Sequence, residues 1–188
     1  MAIQLRNGAI FLHVPKTGGK WVAEVLSRLD LIERKLGKKH DDTNHLDCLD
    51  YTFCFVRHPF NWYESWFKYQ TALGWLEFGN ADEWHPCRDL NGLGGLNFES
   101  FLSDVLTYRP GFVSRMYSGY QADFIGKQES LADDLIRVLG IMEIKFNPDD
   151  IRAIAPIGVS PETDLTCTLQ SEILQTEQDA LVRYGYVS

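Results

Sequence analysis

The sequence predicts an α/β fold in three layers, with a central parallel sheet flanked by helices. Two apolar runs indicate buried strands, Ala9–Val14 and Tyr51–Val56, and the second is apolar on both faces, as strands inside a parallel sheet are. Apolar residues at helical spacing follow each run, which predicts a helix after each strand. Strands that alternate with helices are typical of a parallel sheet covered on both faces. Ligands of such sheets bind at the carboxyl ends of the strands, so we expect a site at that edge.

Length and composition indicate one folded domain over residues 1–188. The net charge of −8 argues against a nucleic-acid partner, because phosphate backbones are bound through clustered lysines and arginines. No apolar stretch approaches the roughly 20 residues of a membrane span, and the first residues lack the order of a signal peptide. We therefore expect a cytoplasmic protein, and the oligomeric state stays open. The four cysteines include no Cys-x-x-Cys pair, which argues against a disulfide scaffold or a structural zinc site.

The other elements are predicted from apolar spacing and from residues that start helices. A first helix is expected over Val22–Leu29, a polar connection over 31–49 and an aromatic helix from Pro59 to about Leu73. Later helices are expected from Asn97, from Pro110 to about Tyr117, over Leu131–Leu139, at Pro148 and over Leu169–Arg183, with a short strand over Ala122–Ile125. Gly74–Gly95 has no clear period, and a loop of this length predicts a functional segment, either a lid or part of a binding site.

The segment Pro15–Trp21 predicts an anion-binding turn between a strand and a helix. Its two adjacent glycines allow a tight turn, where backbone N–H groups and the positive end of a helix dipole converge, and Lys16 adds a full charge. The loop of nucleoside-triphosphate enzymes is different: Val14 stands at its first glycine position, and Trp21 stands where a hydroxyl ligates magnesium. The segment therefore fits an anionic donor molecule that binds without a metal ion. The alternative is a glycine turn that only allows a helix to pack closely on a strand.

Arg57 and Ser65 predict a second phosphate contact at the same edge of the sheet. Arg57 follows the second strand, and Ser65 lies eight residues further on, about two turns into the next helix. A guanidinium donates paired hydrogen bonds to a phosphate, and a hydroxyl adds one more. A nucleotide that carries two separate phosphate groups would use both this contact and the Lys16 loop.

Both motifs resemble the donor-binding motifs of the sulfotransferase superfamily, and are closest to those of its carbohydrate-type and small bacterial members. The matching residues are Val14–Gly19, Phe55–Phe60 and Ser65, with later similarity over Phe124–Leu131 and Arg183–Tyr186. The resemblance implies a P-loop-like fold and the donor 3′-phosphoadenosine 5′-phosphosulfate (PAPS), with adenosine 3′,5′-bisphosphate as product and no metal. In this family the first loop holds the 5′-phosphosulfate, and the Arg and Ser hold the 3′-phosphate.

The resemblance also implies the residues that bind the donor. They are Pro15, Lys16, Thr17, Gly18, Gly19, Lys20, Trp21, Arg57 and Ser65. Lys20 and Trp21 depart from the family pattern, because members usually have Thr or Ser after the second glycine. Lys20 supplies charge in place of a hydroxyl, and Trp21 is expected to pack or stack.

Lys16 is the catalytic candidate for stabilising the charge that builds on the leaving phosphate oxygen. The resemblance further implies a general base, commonly a His or Glu between the two motifs, and His40 and His45 both lie there. His40 is favoured because Lys38-Lys39-His40 resembles a segment of the small bacterial members and because neighbouring lysines favour the neutral imidazole. His45 is the alternative, and the carboxylates Asp41, Asp42 and Glu64 stay open.

The sequence thus predicts a sulfotransferase that acts on a hydroxyl or amine of a small molecule or glycan. One alternative is a non-catalytic protein of this fold that binds a nucleotide or a partner protein. A second alternative is a P-loop nucleotide kinase, although Trp21 cannot supply its magnesium ligand.

Overall fold

The computed structural model describes residues 2–37, 51–77, 85–158 and 168–187. The chain divides into two compact units, Met1–Arg57 with Tyr120–Val159 and His58–Gly119 with Ser160–Ser188, and each is described by itself. The single domain expected over residues 1–188 stays a prediction.

The first unit contains a five-stranded mixed sheet, which confirms the predicted α/β class. In chain order its strands are β1 (Ala2–Leu5), β2 (Ile10–Leu12), β3 (Ile32–Leu36), β4 (Thr52–Val56) and β5 (Phe124–Lys127). They lie side by side in the order β3-β1-β2-β4-β5. The pairs β2–β4 and β4–β5 are parallel, whereas β1 is antiparallel to both β2 and β3. The prediction of a wholly parallel sheet is therefore wrong on the β1–β3 side.

A tight hairpin explains the antiparallel side. The backbone N–H of Leu5 donates to the carbonyl of Ala9 at 2.8 Å, the N–H of Gly8 donates to the carbonyl of Leu5 at 2.9 Å, and Gly8 has a φ of 92°. Strands joined by so short a turn pair antiparallel, because a parallel crossover needs about a dozen residues or more. The dipeptide Asn7-Gly8 is the sequence signal for this hairpin, and β3 lies in the stretch predicted as a connection.

The helices divide between the two units. The first unit has α1 (Gly19–Arg28), α5 (Leu131–Ile141) and α6 (Pro148–Arg152), and the second has α2 (Pro59–Leu73), α3 (Phe98–Tyr108), α4 (Phe112–Ser118), α7 (Gln170–Thr176) and α8 (Gln178–Arg183). The helix predicted over Leu169–Arg183 is two helices that meet at Glu177, and the strand predicted over Ala122–Ile125 starts two residues later. Pro59 and Asn97 begin their helices as predicted, with a capping box between Asn97 and Ser100.

One face of the sheet carries the core of the first unit. Its aromatic rows come from Phe11, Phe53, Phe55 and Phe124, and α1, α5 and α6 bury their apolar sides against them. All five residues of β4 are buried, as its continuous apolar run predicts. At about 25 cal/mol per Å² of apolar surface, this burial supplies the main favourable free energy of the unit and fixes α1 and α5 against the sheet.

The second unit is helical and rich in stacked aromatic rings. The rings of Trp62 and Trp66 lie 5.6 Å apart at an interplanar angle of 10°, and both residues are buried in α2. Phe67 packs against Phe98 and Phe101 of α3 at 5.4 and 5.9 Å. The aromatic stripe of α2 is therefore core, as its helical spacing predicts.

Candidate functional site

The parallel strands β2, β4 and β5 bring three chain segments to one edge of the sheet. Leu12 of β2 pairs with Cys54 of β4, and Val56 of β4 pairs with Lys127 of β5. The three strands point the same way, so the segments that follow them leave from the same edge. These segments are the 13–18 loop, Arg57 and the turn Gln128–Ser130. The predicted location of a site at the carboxyl ends of the strands rests on this arrangement.

The 13–18 loop makes a sharp turn into α1. Lys16 has a φ of 63° and Gly18 a φ of 85°, both in the left-handed region, and α1 starts at Gly19. A non-glycine residue in this conformation costs about 1–3 kcal/mol and persists where its surroundings fix it. Here Pro15 and Thr17, on either side of half-buried Lys16, are both buried. The Thr17 hydroxyl donates a hydrogen bond to the carbonyl of Val14 at 3.0 Å, which closes the loop on itself.

The two glycines of the loop have different neighbours. A Cβ added to Gly18 would lie 2.4 Å from a methyl carbon of Leu131, the first residue of α5. A Cβ added to Gly19 would lie 2.1 Å from Cδ2 of His13. At Gly18 the positive φ of 85° favours glycine, since the leucine methyl group can shift, whereas at Gly19 the contact with the imidazole ring leaves no room for a side chain. The close packing that was the alternative explanation of these glycines is therefore real, and it coexists with the turn geometry.

The start of α1 is suited to an anion. Among the described residues no side chain caps α1, and its first turn contains no acidic residue. The backbone N–H groups of Trp21 and Val22 both donate hydrogen bonds to the carbonyl of Gly18, at 2.9 and 3.2 Å. The first N–H groups of a helix have no acceptor within the helix, and together with the dipole they attract negative charge.

The neighbouring helix of the same unit starts differently. α5 has Asp133 and Asp134 in its first turn. The Asp134 carboxylate accepts hydrogen bonds from the backbone N–H of Lys127 at 2.8 Å and from the hydroxyl of Ser130 at 2.7 Å. This carboxylate places negative charge at the start of α5, whereas the first turn of α1 carries no acidic residue. Of these two adjacent helix starts, α1 is the one that favours an anion.

Lys20 and Trp21 differ in their exposure to solvent. Lys20 is exposed, whereas Trp21 is 6% exposed and belongs to the core of the unit. The indole Nε1–H of Trp21 donates to the backbone carbonyl of Ile154 at 3.1 Å. Packing, one of the two roles expected for Trp21, is therefore what the structure shows, and donor binding by Trp21 stays a prediction.

Arg57 and Ser65 lie in different units. Arg57 is half-buried and directly follows β4, where the sequence predicts it. Ser65 is half-buried in α2, about two turns from its start, in the second unit. Joint phosphate binding by these two residues stays a prediction. His58 lies edge-on to the ring of Tyr186, 5.2 Å away, within the second unit.

The expected general bases fall largely outside the described residues. His40, His45, Asp41 and Asp42 all lie in the 38–50 gap, so their assignment stays a prediction. Glu64, the remaining candidate, is half-buried in α2. Glu129, in the segment that resembles a family motif, is exposed at the end of β5.

Burial lowers the reactivity of two cysteine side chains. Cys54 and Cys87 are both buried. Burial raises the pKa of the Cys54 thiol to about 12, because the surrounding strands disfavour a charged thiolate. Cys54 therefore stays protonated at neutral pH and serves as a core residue. Over the described ranges no three His, Cys, Asp or Glu side chains come together as metal ligands would.

One residue of this region has a neighbour that sequence reasoning did not predict. His13 directly follows β2, and its ring lies against Gly19, the first residue of α1. Alternation was the available signal, because residues two apart in an extended chain share a face, which places His13 on the side of Phe11 and α1.

Comparison with known proteins finds no family model, no curated protein and no solved structure that matches this chain. None of the helices in the described ranges is both long and apolar enough to span a bilayer.

Proposed function

We propose that this protein is a PAPS-dependent sulfotransferase that modifies a hydroxyl or amine of a small molecule or glycan. The observation that supports this most directly is the β2–α1 loop. Lys16 and Gly18 turn the chain through positive φ into a helix whose start is capped by no side chain of the described ranges and has no acidic residue in its first turn. Arg57 follows the neighbouring parallel strand at the same edge and offers a second cation. This combination fits a donor with two anionic groups better than a single-phosphate ligand.

In the proposed reaction the acceptor atom forms a bond to sulfur while the bond between sulfur and the 5′-phosphate oxygen breaks. Lys16 stabilises the charge that develops on that leaving oxygen. The acceptor proton passes to His40, with His45 as the alternative. Arg57 and Ser65 hold the 3′-phosphate and Lys20 adds charge beside the 5′-phosphosulfate, so the products are the sulfated acceptor and adenosine 3′,5′-bisphosphate.

The proposal includes a three-layer, P-loop-like arrangement. Its support is the parallel trio β2-β4-β5, the loop between β2 and α1, and the packing of α1 and α5 on one face of the sheet. The antiparallel strands β1 and β3 extend this trio on one side.

A nucleotide kinase fits the loop less well. Such enzymes place a Ser or Thr hydroxyl on magnesium at the position that Trp21 occupies. The indole of Trp21 is buried and its N–H is bonded to Ile154, so this position offers no oxygen ligand.

A non-catalytic nucleotide-binding protein is the second candidate. The observation that favours it is the hydroxyl of Thr17, which donates into the loop backbone at Val14. With Trp21 buried as well, the loop contributes backbone N–H groups and lysines to an anion and few side-chain hydroxyls. Such a loop suits binding, whereas turnover depends on Lys16 and a base.

Calorimetric titration with adenosine 3′,5′-bisphosphate in the presence of a metal chelator tests the proposal. We expect saturable binding that magnesium does not strengthen, because Lys16, Arg57 and backbone N–H groups hold the phosphates. Binding of ATP with magnesium, together with no binding of the bisphosphate, would overturn the proposal in favour of the kinase. Adenosine 5′-monophosphate is the matched ligand control, since it lacks the 3′-phosphate assigned to Arg57 and Ser65.

Transfer of labelled sulfate from PAPS to a panel of hydroxyl and amine acceptors separates the enzyme from the non-catalytic candidate. Product formation supports the enzyme. Tight bisphosphate binding without transfer to any acceptor in the panel favours the non-catalytic protein.

A further inference from the structure

The imidazole ring of His13 lies directly against Gly19, the first residue of α1. If Gly19 carried a Cβ, that atom would lie 2.1 Å from Cδ2, 2.3 Å from Nε2 and 2.8 Å from Cγ of His13. All three nearest atoms to this position belong to one ring. The ring therefore occupies the space that a side chain at position 19 would need, at the place where the loop becomes a helix.

His13 is held in this place from below. It is only 6% exposed, and its ring is stacked over that of Phe11 with centroids 6.0 Å apart and an interplanar angle of 20°. Phe11 in turn contacts Phe53 at 5.3 Å and Phe55 at 6.1 Å. These rings thus form a continuous series of contacts from the sheet core to the loop, and the ring next to the loop, that of His13, is polar.

The planar His13 ring fixes the distance between the sheet and the first turn of α1. The N–H groups of Gly19 and Lys20 belong to that first turn, where no intrahelical acceptor exists for them. Their position relative to Lys16 therefore depends on the ring beneath Gly19.

We propose that His13 is a positioning residue for the anion-binding loop. Its ring fixes the start of α1 so that the Gly19 and Lys20 N–H groups and the Lys16 side chain meet the 5′-phosphosulfate together. This inference rests on the proposed function, because it assigns His13 to the binding of that donor. His13 acts through Gly19 and does not itself take part in transfer.

Binding of adenosine 3′,5′-bisphosphate to His13→Ala, measured by calorimetry, tests the assignment against a matched core variant. Val138→Ala removes buried apolar volume from α5 in the same core and leaves both His13 and the Phe11 ring that supports it unchanged. We expect the dissociation constant to rise about tenfold or more in His13→Ala and less than about twofold in Val138→Ala, because small displacements of binding groups are costly. Both variants are compared at a temperature well below their unfolding midpoints, and His13→Asn, which keeps a planar polar side chain, is expected to recover part of the affinity.

The pair Gly19→Ala and His13→Ala/Gly19→Ala tests the contact without any nucleotide. Gly19 has no positive φ, so an alanine there is opposed by the His13 ring alone among its nearest neighbours. We expect Gly19→Ala to lower the thermal unfolding midpoint and the double variant to recover part of that loss, since removal of the imidazole leaves room for the new methyl group. This readout checks the geometry even if a single variant folds poorly.

The outcomes separate the two levels of the proposal. If the wild-type protein does not bind the bisphosphate, the proposed function fails and the role of His13 fails with it. If the wild type binds and His13→Ala weakens binding no more than Val138→Ala does, the positioning role alone is overturned. Lack of rescue in the double variant would likewise contradict the contact on which the inference depends.

Discussion

The indole N–H of Trp21 donates to the backbone carbonyl of Ile154 at 3.1 Å, which ties the first turn of α1 to the segment that follows α6. Trp21 and Lys20 are neighbours in sequence, yet the first is buried and the second exposed. The two neighbouring residues therefore differ in environment, with Trp21 packed in the core and Lys20 exposed to solvent.

Trp21→Phe is expected to lower the free energy of unfolding by about 1–3 kcal/mol, because it leaves the Ile154 carbonyl without its donor and a gap in the core. The affinity for adenosine 3′,5′-bisphosphate should change little. Lys20→Ala should do the reverse, with stability within about 0.5 kcal/mol of wild type and weaker bisphosphate binding. Urea unfolding and calorimetry on both variants measure the two effects, and a large affinity loss in Trp21→Phe would contradict this division.

Lys16→Ala and Arg57→Ala should fail at different steps of the proposed reaction. Removing Lys16 takes away charge on the leaving oxygen, so turnover should fall by about 10²-fold or more with a smaller loss of bisphosphate affinity. Removing Arg57 takes away a charge-assisted phosphate contact, so the dissociation constant should rise by about tenfold or more. Lys145→Ala and Arg28→Ala are the matched controls, since both side chains are exposed in the same unit. Lys145 follows the C-terminal end of α5, and Arg28 is the last residue of α1. Equal effects of the control and test variants would argue against specific roles.

His40→Ala is expected to reduce sulfate transfer by about 10²–10⁴-fold while bisphosphate binding is kept, as removal of a general base predicts. His45→Ala serves as the comparison, because it removes the alternative base from the same segment. Rates measured with the same acceptor and PAPS concentration check the assignment. Full activity of His40→Ala would transfer the role to His45 or to a carboxylate.

Asp123 should make the stability of the first unit depend on pH. Its carboxylate accepts hydrogen bonds from the backbone N–H of Thr52 at 2.7 Å and from the Thr52 hydroxyl at 2.9 Å, and these bonds lower the pKa of Asp123 below its usual 3.8. A carboxyl with a lowered folded-state pKa contributes stability above pH 3.8, and this contribution is lost as the pH falls further. Asp123→Asn should therefore lower the unfolding midpoint at pH 7 and show a flatter pH profile below about pH 4. An unchanged acid profile would contradict this assignment.

Glu177 should be a strong stability determinant of the second unit. It is fully buried and accepts hydrogen bonds from the Tyr63 hydroxyl at 2.6 Å, from the N–H groups of Val113 and Ser114 at 3.0 and 2.7 Å, and from the Ser114 hydroxyl at 2.7 Å. Burial, and then the Glu177 carboxylate, raises the pKa of Tyr63 well above 10, so the phenol stays a donor at neutral pH.

Glu177→Ala is expected to destabilise the protein by about 3–5 kcal/mol, because four donors lose their acceptor in a buried place. Tyr63→Phe removes one of the four and should cost about 1–3 kcal/mol. Urea unfolding followed by tryptophan fluorescence measures both. A smaller effect of Glu177→Ala than of Tyr63→Phe would show that the network is not cooperative.

Local sequence determined most of the elements near the candidate site. The apolar run that became β4, the proline that opens α2 and the Asn97 cap all act through residues within a few positions, so their physics is readable from the chain alone. The same is true of the strand-loop-helix order around Lys16, which depends on a short apolar run and two glycines. The Asn7-Gly8 hairpin is equally local, and sequence reasoning missed it because β1 lies in a short N-terminal stretch for which no strand is predicted.

Tertiary structure decided what those elements contact. No local pattern pairs Trp21 with Ile154, 133 residues away, or Glu177 with Tyr63, 114 residues away, because such contacts depend on how helices pack after the chain folds. The neighbours of the two glycines also appear only in three dimensions, where Leu131 lies against Gly18 and His13 against Gly19. The sequence alone determined that a glycine turn with a lysine precedes a helix, and folding decided that a buried histidine ring supports the start of that helix.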